Sequence, residues 1–139
     1  MVFPEKVPGL KLLLGVWIVY TAVWISLEGG LVPVIVMGTV TAVLLLGHGW
    51  QRWLGGKSVG KSVGVMVTAV SGGLLGAGSA LLTFVLMAVK TGLHAHGPEF
   101  TQADIAWVWH MLPLWTAVWL LVGLGVGLLW AGMGTEAEE

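Results

Sequence analysis

The 139-residue chain has no cysteine, and only 9% of its residues are charged. Without cysteine there is no disulfide, no thiolate metal site and no thiol redox chemistry, which leaves the compartment open. Soluble domains carry about 25% charged residues, so the charge here is too sparse to coat a globular surface. Six basic and seven acidic residues leave a net charge of −1. That balance excludes a basic nucleic-acid-binding domain and an acidic disordered tail protein. What the chain has in abundance is apolar: 57% hydrophobic residues, 22 glycines and nine tryptophans, with a mean hydropathy of +0.94. This is the composition of an integral membrane protein.

The charges are clustered, and the gaps between clusters are candidate spans. A helix crossing the hydrocarbon core needs about 20 mostly apolar residues. No charge falls between Lys11 and Glu28, between Glu28 and Arg52, between Ser62 and Val89, or between Asp104 and Glu136. The expectation is an all-α membrane protein, one integral membrane domain over residues 1–139, folded as a four-transmembrane-helix bundle. Its helices are placed near 10–27, 31–50, 63–90 and 105–132. A cleaved signal peptide fits the first run poorly. No small-residue cleavage site precedes Glu28, and Trp17, Tyr20 and Trp24 fill the stretch with bulk. A membrane β-barrel is disfavoured too, because barrel strands alternate apolar and polar residues and these runs are apolar on both faces.

Basic residues set the expected orientation. Lys6 and Lys11 precede the first run, and Arg52, Lys57 and Lys61 lie between the second and third. Five of the six basic residues thus fall on one side, with Glu28, Lys90, Glu99 and Asp104 on the other. The positive-inside rule makes the first side cytoplasmic, with both termini there. The location is a membrane, the cytoplasmic membrane in a bacterium, and the lipid bilayer is the first partner.

One motif match is misleading. Gly55 to Ser62 reads GGKSVGKS and satisfies the phosphate-loop pattern G-x-x-x-x-G-K-[ST]. A working loop of that kind needs a buried strand before it and a soluble helix after it, whereas membrane helices are expected on both sides here. The match arises from a duplicated GKSV unit, best read as a basic turn that touches anionic lipid. No nucleotide and no nucleic acid is expected as a partner.

Glycine spacing carries more. Gly72 and Gly76 lie four apart in the third run, and Gly123 and Gly127 do so in the fourth. Small residues at that spacing leave a flat strip on which another helix backbone can approach closely. The strips predict tight packing, within the chain or onto a membrane-protein partner or second copy. Thr68, Ser71, Ser79 and Thr83 are expected to bond to carbonyls within the third helix. Most of the tryptophans frame the interfaces, while Trp115 and Trp119 lie deeper and share a face.

Ligand chemistry has one plausible place. His94 and His96 straddle Ala95 in the loop after the third run, and His110 lies early in the fourth. Neutral imidazoles with Glu99 or Asp104 nearby suit a divalent metal such as Zn²⁺, and a single imidazole suits the axial position of a tetrapyrrole. Capping of helix ends and contact with headgroups is the plainer alternative. Thr101 and Asp104 form a capping-box pattern at the start of the fourth helix, and Pro113 allows 101–112 to lie along the surface. His48 belongs to the opposite side.

No carboxylate is expected at mid-membrane depth, where proton-coupled carriers keep their coupling group. That argues against the small four-helix multidrug exporters. The lack of asparagine and the single arginine, Arg52, argue against the dual-topology fluoride channels. No catalytic constellation is discernible, so no enzymatic activity is expected. The favoured function is an accessory or assembly subunit of a larger membrane complex, acting by helix packing. The alternatives are a small transporter or channel, or a membrane protein that binds a metal or tetrapyrrole through the outer histidines.

Overall fold

A computed structural model describes residues 1–27, 29–93 and 99–133. They form four α-helices: α1 (Leu10–Ile25), α2 (Leu31–Trp53), α3 (Lys61–Leu93) and α4 (Gln102–Met133). Three of them, α2, α3 and α4, are long and apolar enough to cross a membrane. The first differs from the sequence expectation of 10–27. It ends at Ile25 after 16 residues, about 24 Å of helix against a hydrocarbon core of about 30 Å. Its last turn tightens, with Ser26 N–H donating to Val23 O and Leu27 N–H to Trp24 O, and Gly29 and Gly30 follow. Pro33 sits in the first turn of α2, where its missing N–H costs no helical bond.

Consecutive helices run antiparallel, and α3 is the axis. On one side it packs against α4 along most of its length, on the other against α2, while α1 rests mainly on α2. The α3–α4 contact is made by the glycines. A Cβ on Gly72 would run into the carbonyl of Trp119, and one on Gly76 into the carbonyl of Trp115. Reciprocally, a Cβ on Gly123 would strike the Thr68 carbonyl, and one on Gly127 would lie 2.9 Å from Val65 Cα. The two strips therefore face each other inside one chain. Gly38 plays the same part in α2, where a Cβ would lie 2.8 Å from the backbone N of Thr83. Such contacts matter because lipid tails are as apolar as leucine, so helices in a membrane hold together by close packing rather than by escape from water.

Polar side chains are turned inward on the helices themselves. Thr68 Oγ1 donates to Val65 O (2.9 Å), Ser79 Oγ to Leu75 O (2.7 Å) and Thr83 Oγ1 to Ser79 O (2.8 Å). Side-chain bonds also cross between helices, from Trp17 Nε1–H to Thr41 Oγ1 at 2.9 Å and from Trp50 Nε1–H to Ser71 Oγ at 2.8 Å. Interhelical bonds of this type average about 0.6 kcal/mol in membrane proteins, so they orient rather than hold.

The basic end is closed by the N-terminal segment. Phe3 N–H donates to Lys57 O (3.1 Å), Gly56 N–H to Phe3 O (3.1 Å) and Val59 N–H to Met1 O (3.0 Å). This short antiparallel pairing, centred on Val2 and Ser58, drops Phe3 between the helices. Its ring is 2% exposed and meets Trp50 and Trp130 edge-on at 5.4 and 5.2 Å. The start of the chain, the α2–α3 loop and the end of α4 therefore share one end of the molecule.

α4 starts at a capping box. Asp104 N–H donates to Thr101 Oγ1 at 3.2 Å, and Thr101 N–H donates back to Asp104 Oδ2 at 2.8 Å. From there the helix runs through Pro113 without interruption. The segment 101–112 is the first three turns of the same helix rather than a separate surface piece.

Substitution of the glycine strip follows directly. Gly76→Leu, and more so Gly72→Leu with Gly76→Leu, should force α3 and α4 apart. Overpacking of this kind costs about 1–3 kcal/mol per site or more, and a backbone obstacle cannot rotate away. A large fall in the thermal midpoint in mild detergent is expected, with Gly125→Leu as control because a Cβ there meets nothing within 4 Å. Equal midpoints for all three proteins would contradict the packing.

Candidate functional site

Opposite the basic end, one lysine organises the surroundings. Lys90 lies in the last turn of α3 and is fully buried, its side chain 0% exposed. An ammonium out of water needs partners, and this one has several. Its Nζ lies 3.2 Å from Glu99 Oε2, donates to the carbonyl of Leu27, and stands 4.6 Å from the centroid of the Trp24 ring. Gly29 comes close as well, since a Cβ there would be 3.9 Å from Nζ. Around this group Trp24, Met37, Met87, Phe100 and Val108 form one apolar cluster. The lysine thus clips the end of α1 and the α3–α4 connection to the top of α3. From the sequence, Lys90 is an outer-side charge and Glu99 an outer-side charge and candidate metal ligand, with nothing to pair them. The available signal was a lone lysine on the side poor in basic residues, nine positions before a glutamate.

The histidines divide. His94 and His96 lie outside the described residues, as does Glu28. Among the described residues no group of three or more His, Asp or Glu side chains is arranged to hold a metal ion. His110 is exposed on α4, and its Nδ1 lies 2.7 Å from Ala106 O. A carbonyl can only accept, so Nδ1 carries the proton and in the neutral ring Nε2 holds the free lone pair. Beside it, where α3 and α4 separate above their glycine contact, is a cleft of about 420 Å³ lined by Phe84, Ile105, Ala106 and Trp109. A second cleft of about 540 Å³ shares Phe84 and Ile105 with it. One exposed imidazole thus stands beside a cleft whose aromatic residues, Phe84 and Trp109, are tilted 51° to each other at 6.1 Å. His48 is on α2, near the other end.

The duplicated GKSV segment does not present the donors that a phosphate loop uses. The N–H groups of Gly56 and Val59 already donate to Phe3 and Met1, and that of Lys57 donates to Leu54 O at 2.9 Å. The segment follows the end of α2 and leads into α3.

A further opening lies between α1 and α2. It is a groove of about 600 Å³ walled by Trp17, Tyr20 and Trp24 on one side and Val32, Val36 and Val40 on the other. α1 is held at its ends and at one point between. Leu10 and Trp24 are buried, and Trp17 bonds to Thr41. The rest of the helix is largely exposed, as with Leu12 at 74% and Ile18 at 67%.

Comparison of the chain with known protein families, with curated proteins and with solved structures finds no match.

The Lys90 clip is testable by a double-mutant cycle. Glu99→Leu removes the carboxylate and leaves the ammonium buried, a change that typically costs about 3–5 kcal/mol. Lys90→Leu together with Glu99→Leu should recover most of that loss. Unfolding in a denaturing detergent series reads both, and strictly additive losses would mean the two residues are not coupled.

Proposed function

We propose that the chain is a four-span membrane protein with both ends of the described chain on the cytoplasmic side, and that it serves as a non-enzymatic accessory or assembly subunit of a larger membrane complex. The observation that carries the role is the state of α1. Its aromatic face stands over an open groove on α2, and α1 takes little part in the packing that holds α2, α3 and α4 together. A chain built this way offers a helix pair for a partner to complete. Docking by the glycine strips, in contrast, loses its support, because Gly72, Gly76, Gly123 and Gly127 are spent on each other.

Several features support the fourth span. α1 lies antiparallel to α2, with Leu10 near Gly47 and Trp24 in the cluster beside Lys90, so it follows most of the length of α2. Lys11 at its start can extend its stem toward the headgroups. The basic residues Lys6, Lys11, Arg52, Lys57 and Lys61 all belong to the end closed by Phe3, and Lys90 belongs to the other.

Reporter fusions at Lys6 and Lys57 should read cytoplasm, and fusions at Gly30 and Glu99 the far side. Lys6 and Gly30 in one compartment would contradict the first span. For the role, the protein extracted in mild native detergent should run as a complex well above its own mass. Val36→Trp, which fills the groove, should release it as a monomer without lowering its thermal midpoint. A wild-type monomer, or a complex indifferent to Val36→Trp, would count against the subunit reading.

His110 favours a second reading, a metallotetrapyrrole held by Nε2 with its ring in the Phe84–Trp109 cleft. Haem added to the purified protein should then give a shifted Soret band that His110→Ala abolishes. An identical spectrum from the variant would contradict it.

A further inference from the structure

We propose that the outer face of the α2–α3 pair carries a binding site for an anionic phospholipid. One acyl chain would lie in the furrow between the helices, and the phosphate would rest against Arg52 and Lys57. The inference goes beyond the subunit reading and does not depend on it.

The furrow is a structural feature of small residues. A cleft of about 180 Å³ lies over Ala42 and Gly78, and one of about 310 Å³ lies over Gly49 and Ser71. Both are lined by Leu45, Leu46 and Leu74, so they adjoin along one line between α2 and α3. From Ala42 to Leu54 the helix rises about 18 Å, close to the depth of one leaflet's hydrocarbon, about 15 Å. Its walls are apolar, and its open side faces where lipid tails would lie. A saturated tail would gain dispersion contacts there that it does not have among neighbouring tails.

Charge complementarity decides which lipid. The furrow opens at the basic end, between Trp50, Trp53 and Leu54. Trp53 is 68% exposed, and its ring stands over Gly49, where a Cβ would lie 3.2 Å from it. Indoles in this position sit at headgroup level. Arg52 is two turns beyond Leu45 on nearly the same line of α2, since seven residues make almost two full turns. Lys57 follows in the loop, held there by the bond from Phe3 N–H to its carbonyl. Both side chains are exposed, and among the described residues neither forms an ion pair. A guanidinium matches a phosphate with two parallel N–H donors, and juxtamembrane cations add about 1 kcal/mol each toward anionic lipid. A zwitterionic lipid fills the furrow equally well but gains less from the two cations.

The test uses the delipidated, purified full chain, incubated with palmitoyl-oleoyl phosphatidylglycerol or with the phosphatidylcholine of the same tails. Native mass spectrometry counts the lipid retained. Retention of phosphatidylglycerol should exceed that of phosphatidylcholine by roughly tenfold or more. Arg52→Gln with Lys57→Gln should erase the preference, while Lys6→Gln with Lys11→Gln should leave most of it. Gly78→Leu should lower retention of both lipids by filling the furrow. A Cβ there meets only Ala42 Cβ, at 3.9 Å, so the helices need not part and the lipid-free thermal midpoint should hold. Equal retention of the two lipids would overturn the proposal. So would equal losses from the two lysine-bearing double variants, or full retention by Gly78→Leu. Inorganic phosphate should give no stabilisation, and a phosphate shift as large as the lipid's would also overturn it.

Discussion

Two helix backbones touching through glycine, with no side chains between them, set the arrangement of this protein. In water, burying leucine would drive such an association, but in a membrane a leucine leaves one hydrocarbon environment for another. What remains is the number of atoms brought to van der Waals distance, each contributing about 0.1–0.2 kcal/mol. Gly72 and Gly76 let the backbone of α3 reach the carbonyls of Trp115 and Trp119, and Gly123 and Gly127 return the contact from α4. Because that seam occupies one side of α3, α2 takes the other through Gly38, Ser79 and Thr83. α1, with no small-residue strip of comparable closeness, is left at the periphery.

The two ends of the molecule are closed in different ways. At the basic end Phe3 wedges between Trp50 and Trp130, brought there by backbone pairing with the loop at 56–59. At the far end Lys90 is buried with Glu99, Trp24 and the Leu27 carbonyl. An aromatic wedge tolerates the interfacial setting because edge-to-face rings are favourable without any polar partner. A buried ammonium is tolerated only because its partners come from three segments at once, and so it constrains all three.

Much of this was legible in the amino-acid sequence, and the boundary is physical. Uninterrupted apolar runs marked the helices, because charges cannot enter the hydrocarbon, and the Thr101–Asp104 pattern marked where α4 begins. The i, i+4 glycines marked the sticky strips, but spacing alone cannot say whether a strip meets its own chain or another. The early end of α1 at Ile25 was hidden, since Ser26 and Leu27 continue the apolar run while the backbone tightens into a turn ahead of Gly29 and Gly30. Phe3 carried no sequence signal because its place depends on a pairing between residues far apart in the chain. Lys90 read as a surface charge because burial of a lysine is decided by partners that only folding assembles. His110 was visible as a candidate, whereas the carbonyl that fixes its tautomer was visible only in the helix.

The glycine seam forms within a single chain. The absence of native cysteine gives a direct measurement. A Cβ on Gly73 would lie 3.7 Å from Leu120 Cβ, within the range of about 3.5–4.5 Å that a disulfide spans. Gly73→Cys with Leu120→Cys, oxidised mildly in native membranes, should therefore yield an intramolecular bond and a monomer on a non-reducing gel. A disulfide-linked dimer with no internal bond, or no bond at all, would contradict an intrachain seam.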